Sequence, residues 1–248
     1  MENKRIVVLC PMDCEAEKLL SALEDVSRSD IGGYAFFDGK IAGYPVSVVR
    51  CLMGSVNAAV CTAFAIEKYS PRCVILQGTA GAHNENLSKG DIVVAEKIVG
   101  INNYVSKSKE KGEGVFPLEW SDFGVQTYFK KSGKTEHIRC FHCDNNLLKI
   151  ALDVPYNKGK VIAGTVGSGD VWNREADYII HHRKTKGTDC EAMEGLGVAQ
   201  ICATFGIPML EIRVISNCEL NKSESFTKDT ALCVQEFVTD YIKKLIEV

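Results

Sequence analysis

The stretch from Thr188 to Glu219, TDCEAMEGLGVAQICATFGIPMLEIRVISNCE, constrains the fold of this chain more than any other. After a short polar lead-in, Asp189 to Glu191, the pair Met193-Glu194 stands at a helix start. Leu196, Ala199, Cys202 and Phe205 follow at three-residue steps, which puts them on one face of a helix. Gly206 ends that helix, and after Pro208 the run MLEIRVIS is short, apolar and β-branched enough to be a buried strand. The strand closes on the polar residues Ser216, Asn217 and Glu219. A carboxylate at a helix start and an amide at a strand's C-terminal end place two polar groups at the sheet edge where α/β folds bind ligands. The segment is therefore expected to supply site as well as core.

The rest of the chain continues the α/β alternation. Arg5 to Cys10 reads as a strand, and Pro11 separates it from a helix with Ala16, Leu19, Leu20 and Leu23 on one face. Tyr34 to Arg50 reads as two strands around the turn Gly43-Tyr44-Pro45. Beyond Met53 to Asn57 comes a helix with Ala58, Ala59, Thr62, Ala63 and Ile66 inward. Cys73 to Leu76 is a buried strand running into the turn Gly78-Thr79-Ala80-Gly81, whose glycines let backbone N–H groups approach a ligand's oxygens. A tight turn with no ligand explains the same glycines. Strands over Gly90 to Val99 and Lys160 to Gly167 follow, with helices over Asp144 to Leu152 and Thr227 to Ile246. Asn102 to His137, with SKSKEKGEG at its centre, reads as a solvated loop. His181-His182 falls on a helix from Arg174 to Lys184.

Composition narrows the function classes. A hydrophobic fraction of 46% with 25% charged residues is that of a globular chain, and no linker or repeat divides its 248 residues, so 1–248 is expected to be one domain. The formal net charge of −3 gives no electrostatic footprint for nucleic acid. Eleven cysteines scattered through apolar runs suit a reducing compartment better than a disulfide frame, so a cytoplasmic location is expected. Cys140-Phe141-His142-Cys143 lacks a second ligand pair at zinc-site spacing, and no metal is expected. No stretch reaches membrane-spanning length.

Four motifs in order carry a resemblance. They are Cys10-Pro11-Met12-Asp13-Cys14-Glu15; Gln77-Gly78-Thr79-Ala80-Gly81-Ala82 with Gly90-Asp91-Ile92-Val93; Gly167-Ser168-Gly169-Asp170-Val171-Trp172; and Met193-Glu194-Gly195 with its helix and the Ile-Ser-Asn turn. Together they resemble the nucleoside phosphorylase and nucleosidase superfamily, particularly its methylthioadenosine/S-adenosylhomocysteine nucleosidase branch. The resemblance covers nearly the whole chain apart from about Asn102 to Cys143. It implies a three-layer α/β/α sandwich around a mixed, partly barrel-like central sheet, a small-molecule purine nucleoside as substrate, no cofactor, no membrane partner, and a homodimer built partly by the helix after Asn57.

The resemblance also implies roles. Glu15 stands where the family keeps the carboxylate that activates water, Glu194 where it binds the ribose hydroxyls, and Met193 under the sugar. Trp172 matches an aromatic ring that stacks on the purine, and Thr79 and Gly81 belong to the ligand-facing turn. Each has a structural alternative: acidic residues at helix starts are favoured by the dipole, which also accounts for Asp13 and Glu17, and a tryptophan can simply be core. The phosphorylase branch has an arginine at the position of Leu76, and its absence favours water over phosphate as nucleophile. Asn217 departs from the adenine-specific nucleosidases, which have an aspartate there. An amide has no proton to transfer, but it can donate and accept at once, as a 6-oxopurine requires, and futalosine hydrolase resembles this chain at that position. Four readings stay open: a nucleosidase of the methylthioadenosine/S-adenosylhomocysteine type, with Glu219 or Glu191 able to substitute as acid; a 6-oxopurine nucleosidase of the futalosine or inosine type; a phosphate-dependent phosphorylase; and a non-catalytic nucleoside-binding protein. Glu211 and Arg213, two apart and on one strand face, read as a structural pair.

Overall fold

The computed structural model describes residues 4–221 and 227–248; Met1 to Asn3, the start of the N-terminal run, lie outside the described residues. In chain order the elements are β1 (Ile6–Cys10), α1 (Glu17–Ser21), β2 (Glu24–Ile31), β3 (Tyr34–Ile41), β4 (Tyr44–Arg50), α2 (Ser55–Tyr69), β5 (Cys73–Ala82) and β6 (Ile92–Gly100). Then come β7 (Tyr104–Val105), β8 (Ser121–Asp122), β9 (Val125–Phe129), β10 (Lys134–Ile138), β11 (Cys140–His142), α3 (Asn145–Leu152) and β12 (Val161–Ser168). The chain ends with α4 (Ala176–Lys186), β13 (Cys190–Ala192), α5 (Gly195–Phe205), β14 (Met209–Asn217) and α6 (Thr230–Ile246).

The main sheet is mixed and partly closed on itself. β5, β14, β6, β12 and β13 pair in turn, and β13 returns to β5, so five strands form a ring. From that ring β1, β4, β3 and β2 extend as an open wing. Helices cover both faces, in keeping with the fold expected from the sequence. β1, β5 and β14 run parallel, so their C-terminal ends meet on one edge. Branched aliphatic runs such as IVVLC in β1 and MLEIRVISN in β14 are buried throughout, as strands covered on both faces must be.

The segments that escaped the sequence reading share a physical reason. β2 has the sequence EDVSRSDI and is largely exposed, because it pairs only with β3 at the sheet edge and has no apolar face to betray it. The helix expected to reach Leu23 stops at Ser21, and Leu23 instead leads into β2. The expected solvated loop from Asn102 to His137 contains two small antiparallel pairs, β7 with β8 and β9 with β10, and His137 lies within β10. Among strands of this kind, charged residues on both sides erase the period-2 signal. Asp189 to Glu191, read as a lead-in, overlaps β13.

Two packing details hold the site's edge in place. Gln235 of α6, fully buried, donates to the Cys14 carbonyl (2.8 Å) and accepts from the Lys18 (2.8 Å) and Leu19 (3.3 Å) amides, tying the turn around Glu15 to α6. A Cβ on Gly197 of α5 would collide with the Ser55 carbonyl, so this glycine lets α2 start directly against α5. Gln235→Leu leaves these buried backbone groups unpaired. It is expected to destabilise the fold by about 2–4 kcal/mol, read by chemical denaturation, whereas an unchanged midpoint would show that the tether is dispensable.

Candidate active site

A cavity of about 290 Å³ opens where the strand ends meet, lined by Glu15, Thr79, Gly81, Trp172, Glu191, Met193, Glu194, Arg213 and Asn217 among others. Glu15 follows β1 on a single 3-10 turn, Asp13–Glu15, where Pro11 has broken the strand. Its side chain turns back: Oε2 accepts from the Met12 amide at 2.9 Å, and Oε1 accepts from the Thr79 amide at 2.6 Å and the Thr79 hydroxyl at 2.9 Å. The glycine-spaced turn was expected to offer its N–H groups to a ligand. At Thr79 the structure gives them to Glu15 instead, so this residue positions the carboxylate; Gly81 lines the cavity itself.

Glu194 sits at the N-cap of α5 and close to the start of α2, where one carboxylate oxygen accepts from the Gly54 amide at 3.0 Å. Two helix N-termini therefore favour its negative charge. Its other oxygen accepts from Arg213 Nη2 at 2.8 Å. Only two of its roughly four acceptor positions are used, which leaves lone pairs for ligand hydroxyls.

Arg213 is the residue whose importance the sequence hid. It was read with Glu211 as a structural pair, and the pair exists: Nε donates to Glu211 Oε1 at 2.7 Å. The same guanidinium also reaches Glu194 and the Thr79 carbonyl (3.3 Å), and it is only 1% exposed. One buried cation is thus bonded to two carboxylates, and its charge also acts on a third, Glu15. Burial opposes its charge, but Glu211, Glu194 and Glu15 more than offset this, and its pKa is raised. Burial is also the main cause that lifts the Glu15 pKa above the usual carboxylate range, against the pull of Arg213 and Thr79 and with a further push from Glu194. Glu211, fully buried, is raised for the same first reason, and its Oε2 has no hydrogen-bond partner among the described residues.

Trp172 is 57% exposed at the cavity rim, so it is no core tryptophan. Met193 precedes Glu194 and also lines the cavity. Asn217 ends β14, where its Oδ1 accepts from the Ser216 hydroxyl at 2.9 Å. Of the two substitute acids considered from sequence, Glu191 lines the cavity, and Glu219 lies outside its lining, 3.7 Å from Arg174 in a surface pair. Asp189 braces the backbone behind the site through Thr165 and Arg183. Among the described residues no group of three or more His, Cys, Asp or Glu is placed to hold a metal ion.

The close packing leaves no room at Gly195, where a Cβ would land on the Glu211 carboxylate. Gly195→Ala is expected to push Glu211 and with it Arg213, misplacing Glu194 and lowering kcat/KM by about 10²-fold, as an ångström of misalignment can. Steady-state kinetics on the folded variant check this, and an unaltered kcat/KM would show that the arginine does not fix the site.

Known proteins resemble this chain in sequence and fold. A methylthioadenosine/S-adenosylhomocysteine nucleosidase of Aeromonas salmonicida is 27% identical over 217 residues, 86% of each chain. One from Bacillus thuringiensis subsp. konkukian is 26% identical over 249 residues, 97% of this chain and 99% of its own. The fold is shared with the Neisseria meningitidis nucleosidase in complex with methylthio-immucillin-A, at a TM-score of 0.79, 24% identity and coverage of 97% and 99%. It is shared equally with futalosine hydrolase of Helicobacter pylori, at 0.78, 19% identity and 97% of both chains. The sequence profile of the Phosphorylase superfamily matches residues 5–247, and the chain belongs to that family.

Proposed function

We propose that the protein is a purine nucleosidase that cleaves the N-glycosidic bond with water, by the chemistry of the methylthioadenosine/S-adenosylhomocysteine nucleosidases it resembles. The observation that carries this is the convergence of Glu15 and Glu194 on one cavity about a single arginine. Cleavage passes through an oxocarbenium-like sugar, which needs a base for the attacking water and negative charge beside the ring. Glu15, rigidly held and with its proton affinity raised by burial, is suited to take a proton from water. Glu194 accepts from the ribose hydroxyls and opposes the developing positive charge. In the net reaction one water is consumed, its hydroxyl ending on the sugar carbon and its proton on the departing base.

Water is favoured over phosphate by charge. Among the described residues lining the cavity, Arg213 is the one cation, and it is already bonded to Glu211 and Glu194. A phosphate dianion would face three carboxylates, Glu15, Glu191 and Glu194, with no free counter-charge. Leu76, at the position where the phosphorylase branch has an arginine, is buried in the core of β5.

A second reading concerns the base. Ser216 holds Asn217 Oδ1, and Asn217 Nδ2 lies 3.4 Å from where a Cβ on Gly81 would stand, so the amide nitrogen is turned toward the middle of the cavity wall. A donor there suits the oxygen of a 6-oxopurine, and this supports a base of the inosine or futalosine type.

The protein is further proposed to act as a cytoplasmic homodimer. All eleven cysteines are unpaired, which suits a reducing compartment, and Leu52, Met53 and Val56 expose apolar surface beside the cavity. A single-chain mass by light scattering would overturn the dimer.

Free-base release from purine nucleosides, measured with and without phosphate, tests the reaction; base release without phosphate is expected, and strict phosphate dependence would overturn the hydrolytic reading. Glu15→Gln is expected to lower kcat by about 10²–10⁴-fold with substrate binding retained. Because Glu15 must be ionised to act and its pKa is raised, turnover should fall on acidification with a midpoint above that of an ordinary glutamate. Stability has the opposite sign: the group costs nothing while protonated in both states and destabilises the fold as pH rises through its folded-state value. The parent should therefore lose stability as pH rises through that value while Glu15→Gln does not, by thermal unfolding across pH, and full activity in that variant would refute the role.

A further inference from the structure

Glu191 has no part in the chemistry above, yet its carboxylate is buried in the wall of the same cavity. Its place is set by strand pairing. Gly81 of β5 is the register partner of Glu191 on β13 and of Asn217 on β14. Residues directly opposite across adjacent strands project to the same face, so the two side chains converge over the glycine between them. A Cβ on Gly81 would lie 3.4 Å from Asn217 Nδ2 and 3.7 Å from Glu191 Cγ. The absent side chain is what opens the wall between amide and carboxylate.

Glu191 is held as a fixed acceptor. Its Oε1 accepts from the Asn173 amide at 2.9 Å, and its Oε2 accepts from Asn173 Nδ2 at 2.5 Å and pairs with His83 Nε2 at 3.1 Å. His83 is in turn anchored by the Thr188 hydroxyl at 2.8 Å. These contacts occupy three of about four acceptor positions and leave one on Oε1.

In strand order the wall presents a row of groups: Asn217 Oδ1 held by Ser216, Asn217 Nδ2 toward Gly81, and beyond that glycine the Glu191 side chain, whose carboxylate Asn173 and His83 hold. The row is acceptor, donor, acceptor. A 6-oxopurine leaving with a proton on N7 presents the complement in the same order, with N7–H donating, O6 accepting and N1–H donating. A 6-aminopurine presents donors at both N7–H and the amino group and a lone pair at N1, so it leaves Nδ2 unpaired and sets two acceptors against each other. We infer that Glu191 is a specificity-determining residue that accepts the N1–H of a 6-oxopurine base, and that with Asn217 it selects nucleosides of that class. This rests on the 6-oxopurine reading of Asn217.

Binding of free bases by calorimetry tests it without requiring turnover. The parent protein is expected to bind hypoxanthine 10-fold or more tighter than 1-methylhypoxanthine, which lacks the N1–H, and tighter than adenine. In Glu191→Gln the new carbonyl takes the place of Oε2, held by Asn173 Nδ2 and His83, and the amide NH2 replaces Oε1, the acceptor left for the base. The preference for hypoxanthine over both competitors should then collapse by about 10-fold or more, the range for a hydrogen bond to a charged group. A purely structural Glu191 would weaken all three bases alike and leave the ratios unmoved, which would overturn the inference. So would equal binding of hypoxanthine and 1-methylhypoxanthine by the parent, a comparison that stands even if the variant does not fold. Base release is measured separately: selective hypoxanthine binding without release sinks the nucleosidase reading and spares Glu191, and release without selectivity does the reverse.

Discussion

A single buried guanidinium organises this molecule. Arg213 holds Glu211 and Glu194 directly and lends its field to Glu15, all within a region closed to solvent. Three acids around one base is an arrangement that burial makes costly, and removing the cation would leave carboxylates uncompensated in low dielectric. That imbalance also has a use. With one positive charge shared among them, the carboxylates are held short of full neutralisation, and on the proposed reading a sugar acquiring positive charge in the cavity would supply what is missing.

The fold concentrates on meeting this demand at one edge. Three parallel strands, β1, β5 and β14, end together, and the closed ring fixes β13 beside them. Glycines then set the spacing. Glu15 Oε1 and Arg213 Nη1 lie 2.9 and 2.7 Å from the point where a Cβ on Gly78 would stand. Gly195 makes room for Glu211, Gly197 lets α2 bring the Gly54 amide to Glu194, and Gly81 opens the wall between Asn217 and Glu191. None of these except Gly54, at φ 97°, needs a left-handed backbone; the others are glycine because a side chain would occupy space that polar groups use.

Much of this was legible from the chain alone, and where it was not, the cause is physical. The buried strands announced themselves as apolar runs, and Glu194 was recognisable at its helix start because propensity and pattern agree there. Glu15 was recognisable by its motif, but the hold of Thr79 on it was not, since the contact joins residues 64 apart. Arg213 and Glu211 looked like a local pair because alternation places them on one strand face; that the same arginine also reaches Glu194 depends on how α5 packs against β14. Glu191, named from sequence only as a possible substitute acid, had its place hidden for a similar reason. Its convergence with Asn217 is a matter of two strands flanking a third, a register that no spacing along the sequence encodes.

Glu15 and Glu194 are proposed to bracket one sugar, with the base reaching along the wall past Trp172. A crystal structure with a non-hydrolysable purine nucleoside analogue bound tests this most directly. It should show the ribose hydroxyls within hydrogen-bond distance of Glu194, a water between Glu15 and the sugar's anomeric carbon, and the base edge facing Asn217 and Glu191. A nucleoside seated away from the two carboxylates, or with its sugar turned from them, would contradict it.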